Sequence, residues 1–156
     1  WVNWIVAALL TLFFVVLLTD AGGLGTSVLA GVEGDLAVRA QVRGFLLGVT
    51  GLVLPMALAI DRILTRLAGL VHDARAGTAL SEANAARLRT IGWRLLAINL
   101  ADLVYGWLSV RASAATGEYF GWSLSLTGWV AVPLLFVLAH VFREGAAMRD
   151  DLEGTV

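Results

Sequence analysis

Four apolar runs dominate the pattern along the chain: residues 1–18, about 43–60, about 91–110 and about 122–142. Each approaches the roughly 20 residues with which a helix crosses a hydrocarbon core of about 30 Å. Gly-rich residues 20–34 separate the first two runs, and "ASAATGEYFG" separates the last two. The stretch between the second and third, "GTALSEANAARLRTIGW" (77–93), reads instead like a piece of a soluble protein. Ser81 is placed to cap a helix, its hydroxyl accepting from a free backbone N–H in the first turn. Glu82 then sits at the positive end of the helix dipole. Nothing breaks the helix from there to Val110, so the third helix is expected to run about 30 residues, roughly 45 Å. It would start outside the bilayer and enter near Trp93. Residues 61–75 would likewise carry the second helix out, possible as far as Leu70 on apolarity alone, and make a helical hairpin or loop of 61–90. The pattern predicts one all-α domain over 1–156, an integral membrane four-helix bundle with two helices extended into the cytoplasm and a tail at 143–156.

Composition agrees. The 156 residues are 59% hydrophobic and 15% charged, against about 45–50% and about 25% in soluble proteins. Mean hydropathy is +0.84. All eleven basic residues are arginine. Arg62, Arg66, Arg75, Arg87, Arg89 and Arg94 lie between the second and third runs, and Arg143 and Arg149 follow the fourth; only Arg39, Arg43 and Arg111 fall on the other side. The positive-inside bias therefore predicts that the middle segment and both termini face the cytoplasm. Trp1, Trp4 and Trp93 would mark the inner interface, and Trp107, Tyr119 and Trp122 the outer one. A net charge of −1 leaves no basic surplus for nucleic acid. With no cysteine, disulfides and thiolate metal sites are excluded. The chain opens on Trp1 without a methionine, so the native N-terminus is expected to lie upstream; the first run is too long for the apolar region of a signal peptide.

Candidate chemistry is sparse. Asn99, Asp102 and Tyr105 recur every three residues and share a helix face. An ionisable group at membrane depth costs about 2.5–3.5 kcal/mol on insertion scales, so it should point inward to a partner. Thr50, Ser125 and Thr127 are the candidates. Two readings stay open: a proton or cation site of a small channel or transporter, and structural hydrogen-bond glue. His72 and His140 could in principle hold a haem between two helices, but polar anchoring at the interface explains both better, and no cofactor or metal is expected. Asp61, Arg62 and Arg66 read as a membrane-edge ion pair with snorkelling arginines. Gly44, Gly48 and Gly51 allow close helix approach, within the subunit or along an oligomer seam. "TGLVLP" (50–55) and "TGWVAVP" (127–133) each put Thr-Gly before a mid-run proline, and repeat and coincidence both remain open. Neither G-x-S-x-G, H-E-x-x-H, a P-loop nor G-x-G-x-x-G is present. "AGGLGTS" lacks the P-loop lysine and reads as a flexible turn.

Gly77, Asn84, Arg87-Leu88-Arg89, Ile91 and Gly92, with Phe142-Arg143, Gly145, Met148, Asp151-Leu152 and Thr155-Val156 in the tail, resemble the pattern of the bacterial four-helix membrane family DUF 2975 (domain of unknown function). The family usually has Pro-Phe where this chain has Ala79-Leu80, so a looser turn before Ser81 is expected. The resemblance implies an inner-membrane protein with no established activity. Members often lie beside small helix-turn-helix regulators, which implies a non-enzymatic regulatory or scaffold role with a cytoplasmic regulatory protein as partner. The surface expected to carry it joins Arg75, Ser81, Arg87 and Arg89 to the acidic tail of Asp150, Asp151 and Glu153, folded back as a latch with Met148 and Leu152 on Leu80 or Leu88.

The arginine distribution sets a first test. Reporter fusions after Thr90 and after Val156 should read cytoplasmic, and one after Gly25 external. A periplasmic signal at Val156 would refute the orientation.

Overall fold

The computed structural model describes residues 1–32 and 34–153, apart from the side chain of Glu153. Its helices are α1 (Val2–Thr19), α2 (Leu24–Ala30), α3 (Leu36–Arg75), α4 (Glu82–Thr116) and α5 (Leu126–Glu153), with a 3-10 turn at Ala21–Gly23. Among the described residues there is no strand. The fold is all-α, and α1, α3, α4 and α5 are long and apolar enough to cross a membrane. At 1.5 Å per residue, α3 is about 60 Å long and α4 about 52 Å, both well beyond a bilayer core. The helical extensions anticipated for these two elements are thus present with the expected bounds at Arg75 and Glu82, and the additional length lies at their other ends, Leu36 and Thr116.

The chain divides into two compact units, residues 1–58 with 100–124 and residues 59–99 with 125–156, and α3 and α4 pass from one to the other. In the first unit, α1 is fastened to α3 near both ends. Asn3 donates from Nδ2 to the Ala57 carbonyl at 3.0 Å. Arg43 donates from Nη2 to the carbonyls of Leu17 and Leu18, at 3.0 and 3.4 Å, where α1 runs out of its own N–H partners. Leu17 is fully buried. Gly51 lies under Phe14 of α1, and Gly48 under Leu108 of α4. Gly44, grouped with them in the sequence, faces open space. The glycine-rich segment after α1 is not a simple flexible turn. The Asp20 carboxylate accepts from the backbone N–H of Thr26 at 2.8 Å, which organises the turn and starts α2.

The segment before α5 is also more ordered than its composition suggests. Ser109 Oγ and Tyr105 OH both donate to the Phe120 carbonyl, at 3.2 and 3.4 Å. The Phe120 N–H donates to Ser113 Oγ at 3.1 Å, and its ring packs 5.0 Å from that of Phe45. These bonds fold the loop back along α4, so the last helix starts at Leu126 rather than near Trp122.

In the second unit, the lower part of α3, the first turns of α4 and α5 pack together. Gly92 receives the Phe136 ring, which also meets Trp93 edge-on at 5.3 Å. Gly145 receives Leu80. Ala85, Leu88, Ile91, Ala139 and Ala146 are buried.

The glycine surroundings give different expectations for two neighbouring substitutions. A Cβ at Gly48 would lie 2.5 Å from Leu108 Cδ1, and one at Gly44 would meet nothing within 4 Å. Gly48→Ala must push the tip of Leu108 aside, and that repacking should cancel the helix-propensity gain or outweigh it by up to about 1 kcal/mol. Gly44→Ala should stabilise by up to about 1 kcal/mol through helix propensity. Unfolding in mixed micelles, followed by circular dichroism, separates the two.

Candidate functional site

The best-organised polar cluster is the turn between α3 and α4. Gly77, at φ +75°, ends α3 in the left-handed conformation that glycine adopts without strain. The Thr78 N–H then donates to the Asp73 carbonyl at 3.0 Å, and the Thr78 hydroxyl donates to the same oxygen at 3.2 Å. Ser81 caps α4, its Oγ accepting from the Asn84 N–H at 3.3 Å. Asn84 is wholly buried. Its Nδ2 donates to the carbonyls of Ala79 and Thr78, at 3.0 and 3.4 Å. Its Oδ1 accepts from Arg87 Nη1 at 2.5 Å, and the same Arg87 nitrogen pairs with the Asp73 carboxylate. The two charged side chains are 25% and 23% exposed. At that burial the pair is shielded more than an ordinary surface ion pair.

This geometry corrects two expectations. The turn before Ser81 is not loosened by Ala79-Leu80, because Asn84 ties down the carbonyls of residues 78 and 79 and Leu80 packs on Gly145. Nor does the tail fold back in the expected way. Helix α5 continues through Asp150 and Asp151 to Glu153, Met148 and Leu152 are exposed, and Leu80 meets Gly145 in their place. Arg87 engages Asp73, while Arg75 and Arg89 are exposed. The Glu153 side chain, Thr155 and Val156 lie outside the described residues. Asp73 was missed in the sequence because its partner is fourteen residues away across a turn. Asn84 carried a weak signal: it stands three residues after the Ser81 cap, where a capping box places a side chain that reaches back.

The polar face of α4 does not form one site. Asp102 is half-buried and accepts from Trp122 Nε1 at 3.4 Å, within the first unit. Gly106 leaves room for that indole, since a Cβ there would run into it. Asn99, only 9% exposed, lies in the second unit against Gly128, and its Nδ2 has no hydrogen-bond partner. Tyr105 is turned to Phe120. Thr50 is buried and donates to Leu46 O at 2.6 Å on its own helix, not to Asp102. Thr127 is exposed. The two Thr-Gly pairs therefore share no common role for the threonine, although Gly51 and Gly128 each receive a side chain. His72 and His140 line separate grooves. Asp61 and Arg62 approach to 3.5 Å at the surface. Among the described residues, no group of three or more His, Asp or Glu side chains is arranged to hold a metal.

Asn84→Ala should remove the brace of the turn at a cost of about 2–3 kcal/mol, because two backbone acceptors and an arginine lose a buried partner. Amide exchange in residues 76–82 should rise with it. Unchanged exchange there would show that the turn holds without Asn84.

No curated protein and no solved structure matches the chain. A family model described as "Protein of unknown function (DUF2975)" matches residues 37–156, which takes in α3, α4 and α5 and leaves α1 and α2 outside. The chain belongs to this family, DUF2975.

Proposed function

We propose that the protein is a multi-pass protein of the bacterial inner membrane, with both termini in the cytoplasm. It acts without catalysis, as a regulatory or scaffold partner of a cytoplasmic protein. The supporting observation is the braced turn: a fully buried Asn84 and the partly buried Asp73–Arg87 pair hold residues 76–82 in one shape. A plain linker between two helices needs neither. Preorganising a loop lowers the entropy lost when a partner docks, which is what a recognition surface gains from such a brace. The exposed residues around it, Arg75, Thr78 and Arg89, with Asp150 at the end of α5, supply both signs of charge.

The test is site-specific photocrosslinking of the full chain in the membranes of its own bacterium. Crosslinkers replacing Arg75, Thr78 or Asp150 should each be compared in three backgrounds. A discrete protein adduct is expected in the parent, reduced at least severalfold by Asp73→Ala and retained in Asp102→Asn. No adduct from any position, or adducts indifferent to Asp73→Ala, would overturn the scaffold reading. Loss of the adducts in Asp102→Asn alone would transfer the function to the intramembrane acid.

A further inference from the structure

A groove of about 490 Å³ lies between α4 and α5 in the second unit. Its polarity is graded along its length. At one end is Phe136, which meets Trp93 edge-on. Toward the other end come Arg89 and His140, then Arg143 and Glu82. The two helices run antiparallel here, since Gly92 meets Phe136 and Leu80 meets Gly145. The gradient therefore follows the passage of α4 from its polar first turns into its apolar run. Ala85 and Ala139 keep the floor shallow and apolar.

The charged groups are not neutralised by fixed partners. Arg143 Nη2 lies 2.9 Å from His140 Nδ1. Glu144 Oε1 lies 3.9 Å from the same Nδ1, so Arg143 and Glu144 both crowd that nitrogen and leave Nε2 as the ring nitrogen for a ligand. Glu144 stands 4.0 Å from Arg143 Nη2, with side chains 59% and 54% exposed. A pair that exposed is weak and readily exchanged for another anion. Glu82 supplies a carboxylate on the same groove, two helical turns before Arg89.

We propose that this groove is a headgroup site for an aminophospholipid of the ethanolamine type. Arg89 and Arg143, with the His140 ring beside them, hold the phosphodiester, the Glu82 carboxylate takes the ammonium, and the acyl chains leave past Phe136. The order matches such a lipid in a leaflet, with the amine outermost, the phosphate next and the chains at the apolar end. The presence of both charge signs fits a zwitterionic headgroup better than a purely anionic one. A primary ammonium can donate hydrogen bonds to Glu82, and a quaternary one cannot. The inference rests on the membrane residence proposed above, but not on the scaffold role.

Native mass spectrometry of the full chain in detergent, titrated with phosphatidylethanolamine, phosphatidylcholine or phosphatidylglycerol of the same acyl chains, tests it. Phosphatidylethanolamine should bind about fivefold more tightly than phosphatidylcholine. Glu82→Gln should erase that preference and leave phosphatidylglycerol binding intact or stronger. Arg89→Gln with Arg143→Gln should weaken every phospholipid, by about fivefold per arginine, whereas Arg62→Gln with Arg66→Gln should not. Equal binding of the three lipids, or a preference that survives Glu82→Gln, would overturn the proposal. So would soluble phosphoethanolamine binding as tightly as the lipid, which would assign the site to a free solute. Should the double variant fail to fold, a photoactivatable phosphatidylethanolamine on the parent chain decides. Labelling must fall within residues 82–89 and 136–143, and labelling elsewhere alone would refute the site. If the chain fractionates away from membranes, the membrane reading fails instead, a result visible before any lipid is added.

Discussion

The register between α3 and α4 depends on one knot of side chains, Asp73 with Arg87 and Arg87 with Asn84. These are the two longest helices, and each contributes to both compact units. A helix turns by about 100° per residue, so a slip of a single position would swing Arg87 away from Asp73. The same register seats the Arg87 guanidinium over Gly69, the one residue of that turn of α3 that adds no side chain in its path. Charge, a buried amide and a missing Cβ thus specify the same alignment. Agreement between independent local devices is what selects one arrangement over its neighbours.

Elsewhere the structure follows the rule that backbone polar groups in apolar surroundings must find partners within the protein. Thr11, Thr19, Thr50, Thr65, Thr90 and Thr116 each return their hydroxyl to the carbonyl four residues earlier. Arg43 serves the exposed carbonyl end of α1, and Ser109 with Tyr105 serves Phe120 in the last loop. The side chains that look like candidate chemistry in an apolar sequence are mostly engaged in this upkeep. Asn99 is the exception, with an amide nitrogen left unpaired.

What could be read in the sequence was periodic or local. The four long helices, the Ser81 cap, the extension of α3 and α4 beyond their apolar runs and the Asp61–Arg62 pair all follow from hydropathy, capping chemistry or adjacency. The start of α5 was not legible, because "GWSLSL" is as apolar as a helix and its loop conformation depends on Phe120 and Trp122 turning back onto α4. Asp102 was recognised as needing a partner, but Trp122 supplies it, twenty residues on and outside the threonine set that composition favoured. The site on the α3–α4 turn was half legible. The arginines stood out by charge, but their division into one braced residue and two exposed ones depends on the helix register, which no local pattern encodes.

The fastening of α1 carries a consequence for how the chain is made. Asn3 and the carbonyl it binds are 54 residues apart, and Arg43 follows Leu17 by 26. At roughly 5–20 residues per second, a ribosome takes roughly 3–10 s to deliver Ala57 after Asn3. Arg43 arrives first, 26 residues after Leu17, and until Ala57 follows the Asn3 end of the helix has no partner. The fastening of the first helix is therefore complete only once the next long helix has been made as far as Ala57.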